Sequence, residues 1–225
     1  MKHLTILASF LSLSSIAALA SLETPSTHFS GFNIGVQVGV GTGRSTMDRD
    51  YFTTSSRKDS VDLGMNGALA GLNLGYGLIN QGWYYGLQAA FDITSLKGDV
   101  GTNVGGENRK ETLKLRHTFS FNAKVGKVVN NALPYLKLGV ATSKMKVETV
   151  DNARASLINT SSSKNRTAFV AGAGVDFLVT DRMSFGGEYT YFHYNTLKHT
   201  HTGTANYSVK PRVHTFTLNL RWFFN

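Results

Sequence analysis

The sequence predicts an all-β fold, an eight-stranded antiparallel up-and-down transmembrane β-barrel. Three observations along the 225 residues carry that prediction. Runs of about ten residues alternate apolar and polar side chains, a period of two that marks strands whose faces meet different surroundings. The connections between runs alternate between long and short, as in barrels that cross a membrane. The polar phase of the runs is heavy in glycine. About ten tilted residues suffice to cross a hydrocarbon core.

Residues 1–20 read as a secretory signal peptide. Lys2 and His3 give a basic start, an apolar stretch follows, and Ala18-Leu19-Ala20 is a small-x-small cleavage site. Residues 21–225 are then one barrel domain. The formal charge is +9 for the whole chain, and removing Lys2 with the leader leaves +8. There is no cysteine, so backbone pairing and packing must hold the exported fold together. No second stretch is apolar enough for a spanning helix. A basic exported chain suits anionic lipid, lipopolysaccharide phosphate or acidic glycans. Export argues against nucleic acid as a partner.

The strands follow in order. The first sets Phe32, Ile34, Val36, Val38 and Val40 against Asn33, Gly35, Gln37 and Gly39. The second sets Ala68, Ala70, Leu72, Leu74 and Tyr76 against Gly71, Asn73 and Gly75. The third has Trp83, Tyr85, Leu87, Ala89, Phe91 and Ile93 in one phase and Gly86, Gln88 and Asp92 in the other. In the fourth, Leu113, Leu115, His117, Phe119, Phe121, Ala123 and Val125 oppose Lys114, Arg116, Thr118, Ser120, Asn122 and Lys124. Leu136, Leu138 and Val140 mark the fifth, with Lys137 and Gly139 opposite. The sixth carries Phe169, Ala171, Ala173, Val175 and Phe177 against Gly172, Gly174 and Asp176. The seventh carries Phe185, Gly187, Tyr189 and Tyr191 against Gly186, Glu188 and Thr190. The last runs from His214 through Phe216, Leu218, Leu220 and Trp222 to Phe224, with Thr215, Thr217, Asn219 and Arg221 between.

Tight connections lie at 78–82, 129–133 and 180–183, and long polar ones at about 44–64, 96–112, 149–166 and 196–211. With an even strand number, both termini fall at the short-turn end. A soluble barrel with a solvated exterior would alternate too. Glycine on such an exterior would only weaken the strands, whereas inside a narrow barrel it makes room for long side chains opposite. The apolar phase is therefore read as lipid-facing and the polar phase as a filled interior. Buried charges need partners. Asp92 is expected to meet Lys114 or Arg116, and Glu188 to meet Arg221. Phe32, Tyr76, Trp83, Phe177, Phe185, Trp222 and Phe224 all fall at strand ends beside short turns or termini. They read as an aromatic girdle at the periplasmic interface.

The stretches FSGFNIGVQVGVGTG (29–43), LPYLKLGVA (133–141) and AFVAGAGVDFLVTDRMSFGGEYTY (168–191) resemble the small eight-stranded outer-membrane barrels of Gram-negative bacteria. These are the OmpA/OmpX-type proteins, and most closely the porin-like and opacity-type surface antigens. The resemblance covers essentially all of 21–225 and implies outer-membrane location. Its motifs are structural and speak weakly to activity. It implies outer-membrane lipid and lipopolysaccharide as surroundings. It also implies the outer-membrane assembly machinery as a partner, which reads the C-terminal strand. Family members usually finish on phenylalanine, and here Asn225 follows Phe224.

Two functional expectations differ in class. One is a structural and interaction protein whose four long loops, rich in Ser, Thr, Asn, Lys and Arg, serve as adhesin or antigen toward host surface molecules. The other is a narrow porin-like channel for ions or very small solutes; whether Lys114, Arg116, Lys124, Lys137 and Arg221 are paired or line a wet path separates the two. A lipocalin-like soluble carrier is a third arrangement. No cofactor, metal or catalytic residue is expected. His193, His199, His201 and His214 are read as solvated, with metal or haem binding as the alternative, because no cysteine or nearby carboxylate completes a ligand set. His28 and Ser30 sit together without a placeable third partner for a hydrolase.

Overall fold

The computed structural model describes residues 27–51, 58–104, 107–151, 160–195, 197–201 and 205–224. A single 3-10 turn, Thr27–Phe29, leads into β1 (Gly31–Tyr51). There follow β2 (Lys58–Asn80), β3 (Trp83–Thr94), β4 (Lys97–Val104), β5 (Glu107–Lys127), β6 (Ala132–Asp151) and β7 (Thr160–Thr180). The chain ends in β8 (Met183–Tyr194), β9 (Leu197–His201) and β10 (Ala205–Phe224). β4 continues the line of β3, pairing with β5 and touching β2, and β9 continues the line of β8 against β10. Ten segments thus make eight walls. β1 pairs with both β2 and β10, and the sheet closes on itself.

The register gives the shear of the closure. Starting at Phe32 and stepping across the ladder, the partners are Tyr76, Leu87, Ala123, Leu138, Ala171, Tyr191 and His214, and the circuit returns at Thr42, ten residues along β1. Such a stagger tilts the strands by about 35–45° and leaves an interior just wide enough for side chains.

Both faces are inverted relative to a water-soluble barrel. Thirty large apolar side chains among the described residues are 40–67% exposed, from Leu220 and Leu218 to Leu136. That far exceeds the patches a soluble monomer leaves open. The buried set is conversely rich in Asn, Gln, Ser, Thr and charge. The soluble-carrier arrangement does not fit this surface.

The turns at the short-loop end follow from local chemistry. Asn80 pairs with Trp83, and the two residues between, Gln81 and Gly82, have φ of 50° and 78°. Positive φ at both central positions is the primed turn that matches strand twist, and glycine takes its second place without strain. The strands whose inward phase carries glycine need it for a second reason. A Cβ on Gly86 would lie 2.5 Å from Tyr84 Oη, and one on Gly174 2.6 Å from Tyr135 Oη. Gly86→Val is expected to lower unfolding stability by about 1–3 kcal/mol through overpacking. Urea titration of the folded protein in detergent measures it; a variant as stable as the parent would mean the Tyr84 ring moves freely.

Two expectations need correction. The strands do not stop at about ten residues: β1, β5 and β7 have 21 each, β2 has 23, and β6 and β10 have 20. Most of what reads as long loop is strand that carries the barrel beyond the membrane. Those segments hold fewer apolar residues than the runs below them, so their period of two is hard to see. Residues 52–57, 105–106, 152–159, 196 and 202–204, like the expected signal peptide at 1–20 and Asn225, lie outside the described residues. The second correction is a β-bulge at Arg116, where the register with β6 shifts between Leu115 and His117. One extra residue exchanges the faces. Above it Leu115 turns inward, 4% exposed, instead of continuing the outward phase of Phe119 and Phe121.

Candidate functional site

The lumen is built in three layers. The lowest, at the end holding both termini and the short turns, is apolar: Phe29, Tyr84, Val128, Leu133, Tyr135 and Phe223. Phe29 comes from the 3-10 turn and meets Phe223 edge-on, ring centroids 5.9 Å apart. The highest is also apolar, with Met65, Leu96, Leu115, Met145, Phe192, Tyr194 and Val213. Leu96 sits in the break between β3 and β4, where Ser95 is clamped to Ala68 by its backbone N–H (2.9 Å) and hydroxyl (3.1 Å).

Between them lies the polar layer. Its buried charges are Asp92, Asp176, Glu188, Lys124, Lys137 and Arg221, three acids against three bases. Glu188 is the hub. Its carboxylate receives Lys137 Nζ at 2.5 Å, Tyr135 Oη at 2.8 Å and Lys124 Nζ at 3.2 Å, with Arg221 Nη2 at 3.8 Å. Lys137 also donates to Thr190 Oγ1 at 3.0 Å. Arg221 is ion-paired with Asp176. Lys124 lies 4.2 Å above the Tyr135 ring centroid, a cation–π contact. Asp92 accepts from the Gln37 side-chain amide, whose oxygen receives Asn73 Nδ2 at 3.3 Å. Higher still, Tyr194, Ser143 and Thr118 form a hydroxyl chain with steps of 2.8 and 2.9 Å.

The network brings Glu188 and Arg221 together as expected partners of one cluster, but Arg221 makes its direct pair with Asp176. Asp92 meets neither Lys114 nor Arg116. Arg116 is exposed on the outward face because of the bulge, and Lys114, half-buried, lies beyond it toward the β4–β5 hairpin. Directly opposite Asp92 on the ladder are Gly71 and Thr118. Lys124, Lys137 and Asp176 complete the cluster. Their inward phase is visible in sequence, but their convergence across the lumen depends on shear.

Room for solute is small. A cavity of about 20 Å³ lies among Gln37, Gln88, Asp92, Ser120, Lys137 and Thr190. Another of about 10 Å³ lies between Lys124, Tyr135, Asp176 and Arg221. Each is of the order of a single water molecule.

On the outside, Phe32, Tyr76, Trp83, Phe177, Phe185, Trp222 and Phe224 are all exposed at the end that carries the termini. Phe32 faces Phe224 and Tyr76 in register and contacts the Tyr76 ring at 6.0 Å; Phe177 faces Phe185. Tyr85, opposite Leu78, belongs with them and reads in sequence as ordinary strand interior. His193 and His214 meet at the ring of Tyr191, with centroids 6.3 and 5.0 Å from it. His214 is hydrogen-bonded to Tyr189 Oη at 2.6 Å and His193 to Tyr191 Oη at 3.3 Å, on the outward face. His199 and His201 lie on β9, opposite Tyr207 and Ala205. Among the described residues no three His, Cys, Asp or Glu could hold a metal.

A closed, tilted sheet with apolar side chains outside, polar side chains inside and an aromatic rim is a transmembrane β-barrel. Residues 6–224 match the outer membrane protein beta-barrel domain family, and the chain belongs to it. It is an outer-membrane protein. Among curated relatives, a 25 kDa outer-membrane immunogenic protein of Brucella canis is 27% identical over 158 residues, 62% of this chain and 70% of that one. A 31 kDa outer-membrane immunogenic protein of Brucella melitensis is 22% identical over 201 residues, 87% and 84% of the two chains. Among solved structures, the outer membrane protease OmpT of Escherichia coli shares the fold at 12% identity and TM-score 0.52, covering 91% of this chain and all of that one.

Proposed function

We propose that this chain is a sealed barrel whose function is to present its extracellular hairpins, as a surface antigen or adhesin toward host molecules, and not to conduct solute or catalyse a reaction. The closure of the lumen by apolar layers at both ends carries this reading. The ion network supports it, since three acids and three bases neutralise one another and leave no charged lining for a wet path. Glu188, Asp176 and Asp92 are each held by a base or an amide, so none is poised as a general base. Strands of 20 to 23 residues lift the polar tips clear of the lipid, where a partner can reach them. Relatives named immunogenic outer-membrane proteins agree with exposure of such tips.

Conductance across planar bilayers tests the reading. The refolded protein is expected to be silent, and to stay silent when Phe29→Ala combined with Phe223→Ala removes the lower seal, because the upper apolar layer still closes the lumen. Sustained single-channel steps from the unaltered protein would establish the narrow-channel reading instead. Shortening the hairpins is expected to weaken binding of the protein to host-cell surfaces by about tenfold or more, with the barrel still resisting detergent until heated.

A further inference from the structure

The ladder between β1 and β10 is the seam at which the sheet closes, since it joins the first wall to the last. At the short-turn end the neighbouring pairs β2–β3, β5–β6 and β7–β8 are each tied by a tight turn. The seam has no such tie. Its lowest rung is Phe32 opposite Phe224, and strand ends of this kind open first in a folded protein.

Phe29 bridges that end. It lies in the 3-10 turn that precedes β1 and is fully buried. Its ring meets Phe223 edge-on, with centroids 5.9 Å apart. Phe223 belongs to β10 and faces Asn33 of β1 on the ladder. The contact therefore runs from chain that precedes the first wall to the end of the last wall. Phe223 is fixed on its other flank, because its backbone N–H donates to the Arg182 carbonyl in the β7–β8 turn at 2.8 Å. The chain bends from the floor into β1 at Gly31, whose φ is 90°. A residue with a Cβ is strained at that angle.

The seat of Phe29 draws on distant parts of the chain. Besides Phe223 it holds Tyr84 of β3, Val128 just beyond β5, and Leu133 and Tyr135 of β6. These walls must stand around the lumen before the ring has an apolar place to go, and burial from water is favourable only then.

We propose that Phe29 is a latch on the closing seam: it seats once β10 has paired with β1 and holds the lower end of that ladder shut. Unseated, the lower ends of β1 and β10 part into two free strand edges. Seated, the ring converts closure of the lower seam from a fraying pair of strand ends into a packed corner. The latch acts on the wall and not on the hairpins, so it stands or falls separately from their role as antigen or adhesin.

Amide hydrogen exchange of the full chain refolded in detergent micelles tests it. Exchange is followed while the folded protein persists, so that local opening is what it reports. Seam amides at 32–36 and 220–224 are compared with those of the β5–β6 ladder at 123–126 and 135–138. In F29A the seam amides are expected to exchange about tenfold faster or more, with the β5–β6 amides unchanged. G31A, which strains the bend, is expected to give the same pattern. F29A/G31A should open the seam no further than the larger single effect, because both changes unseat one ring. L133A loosens the same floor but leaves Phe29 against Phe223, and should leave the seam protected. Heat-dependent migration in detergent reports folding of each variant. If F29A does not fold, F29L, which keeps apolar bulk but loses the ring contact, is compared in the same way. Seam amides unchanged in the folded Phe29 variant overturn the proposal. So does an equal rise along β5–β6, or an equal rise at the seam in L133A, since either makes Phe29 ordinary floor packing.

Discussion

Glu188→Ala is expected to lower the unfolding free energy by about 3–5 kcal/mol, the penalty for leaving buried charge uncompensated. Glu188 gathers Lys124, Lys137, Tyr135 and Arg221 within 3.8 Å. Removing it takes away the carboxylate that both buried ammonium groups, Lys124 and Lys137, contact. Asp92→Asn is the control. Asp92 is buried but is held by the Gln37 amide, so a neutral amide in its place is expected to cost about 1 kcal/mol, the worth of one hydrogen bond. Urea titration in detergent, followed by tryptophan fluorescence and by migration of unheated protein, gives both values. Equal losses for the two variants would show that the hub geometry contributes nothing beyond burial.

Leu218→Arg is expected to be the most damaging change on the outer surface. Leu218 lies midway along the apolar run of β10 and is 43% exposed, opposite Val38. On a water-facing surface an exposed leucine accepts arginine with almost no change. At the middle of a bilayer the same substitution costs about 2–4 kcal/mol, falling to about 0–1 kcal/mol near the interface. Thr42→Arg, exposed two residues above Val40, supplies the interfacial comparison. Folding yield into vesicles, with unfolding measured in the same vesicles, reads both. If the two arginines were tolerated alike, the outward face would not be lipid-facing at all.

The closed barrel was legible because burial acts on a two-residue period, and eight runs from Phe32 to Phe224 keep that period over the membrane. Long and short connections then give the up-and-down order. The interior was half legible. Glycine marked the inward phase, and its reason is now specific: Gly86 and Gly174 accommodate the rings of Tyr84 and Tyr135. Partner choice was not legible, because sequence suggests neighbours on adjacent strands, while Lys124, Lys137 and Glu188 meet across the lumen. The bulge at Arg116 was invisible for a related reason. Lys114, Arg116 and Thr118 continue an unbroken polar alternation, and nothing in residue type says that one of them is supernumerary. The apolar seals were missed because Phe29, Leu133 and Phe223 lie next to turns or termini, where an inward apolar residue resembles part of the rim.

The exchange of faces at Arg116 has a consequence for how the chain tolerates change. Below it, β5 prefers apolar residues outward and polar residues inward. Above it, Leu115 packs inward with Met65, Leu96 and Met145 in an interior like that of a water-soluble protein. One polypeptide therefore obeys two opposite solubility rules, divided by a single residue. A saturation scan along 113–125 should show its preference for greasy side chains changing parity at 116. Variation can then accumulate on the outer wall of the extracellular tower, where the rules are those of a soluble surface. The wall within the bilayer must stay monotonously apolar. Surface diversification and membrane residence become separable problems for the same eight walls.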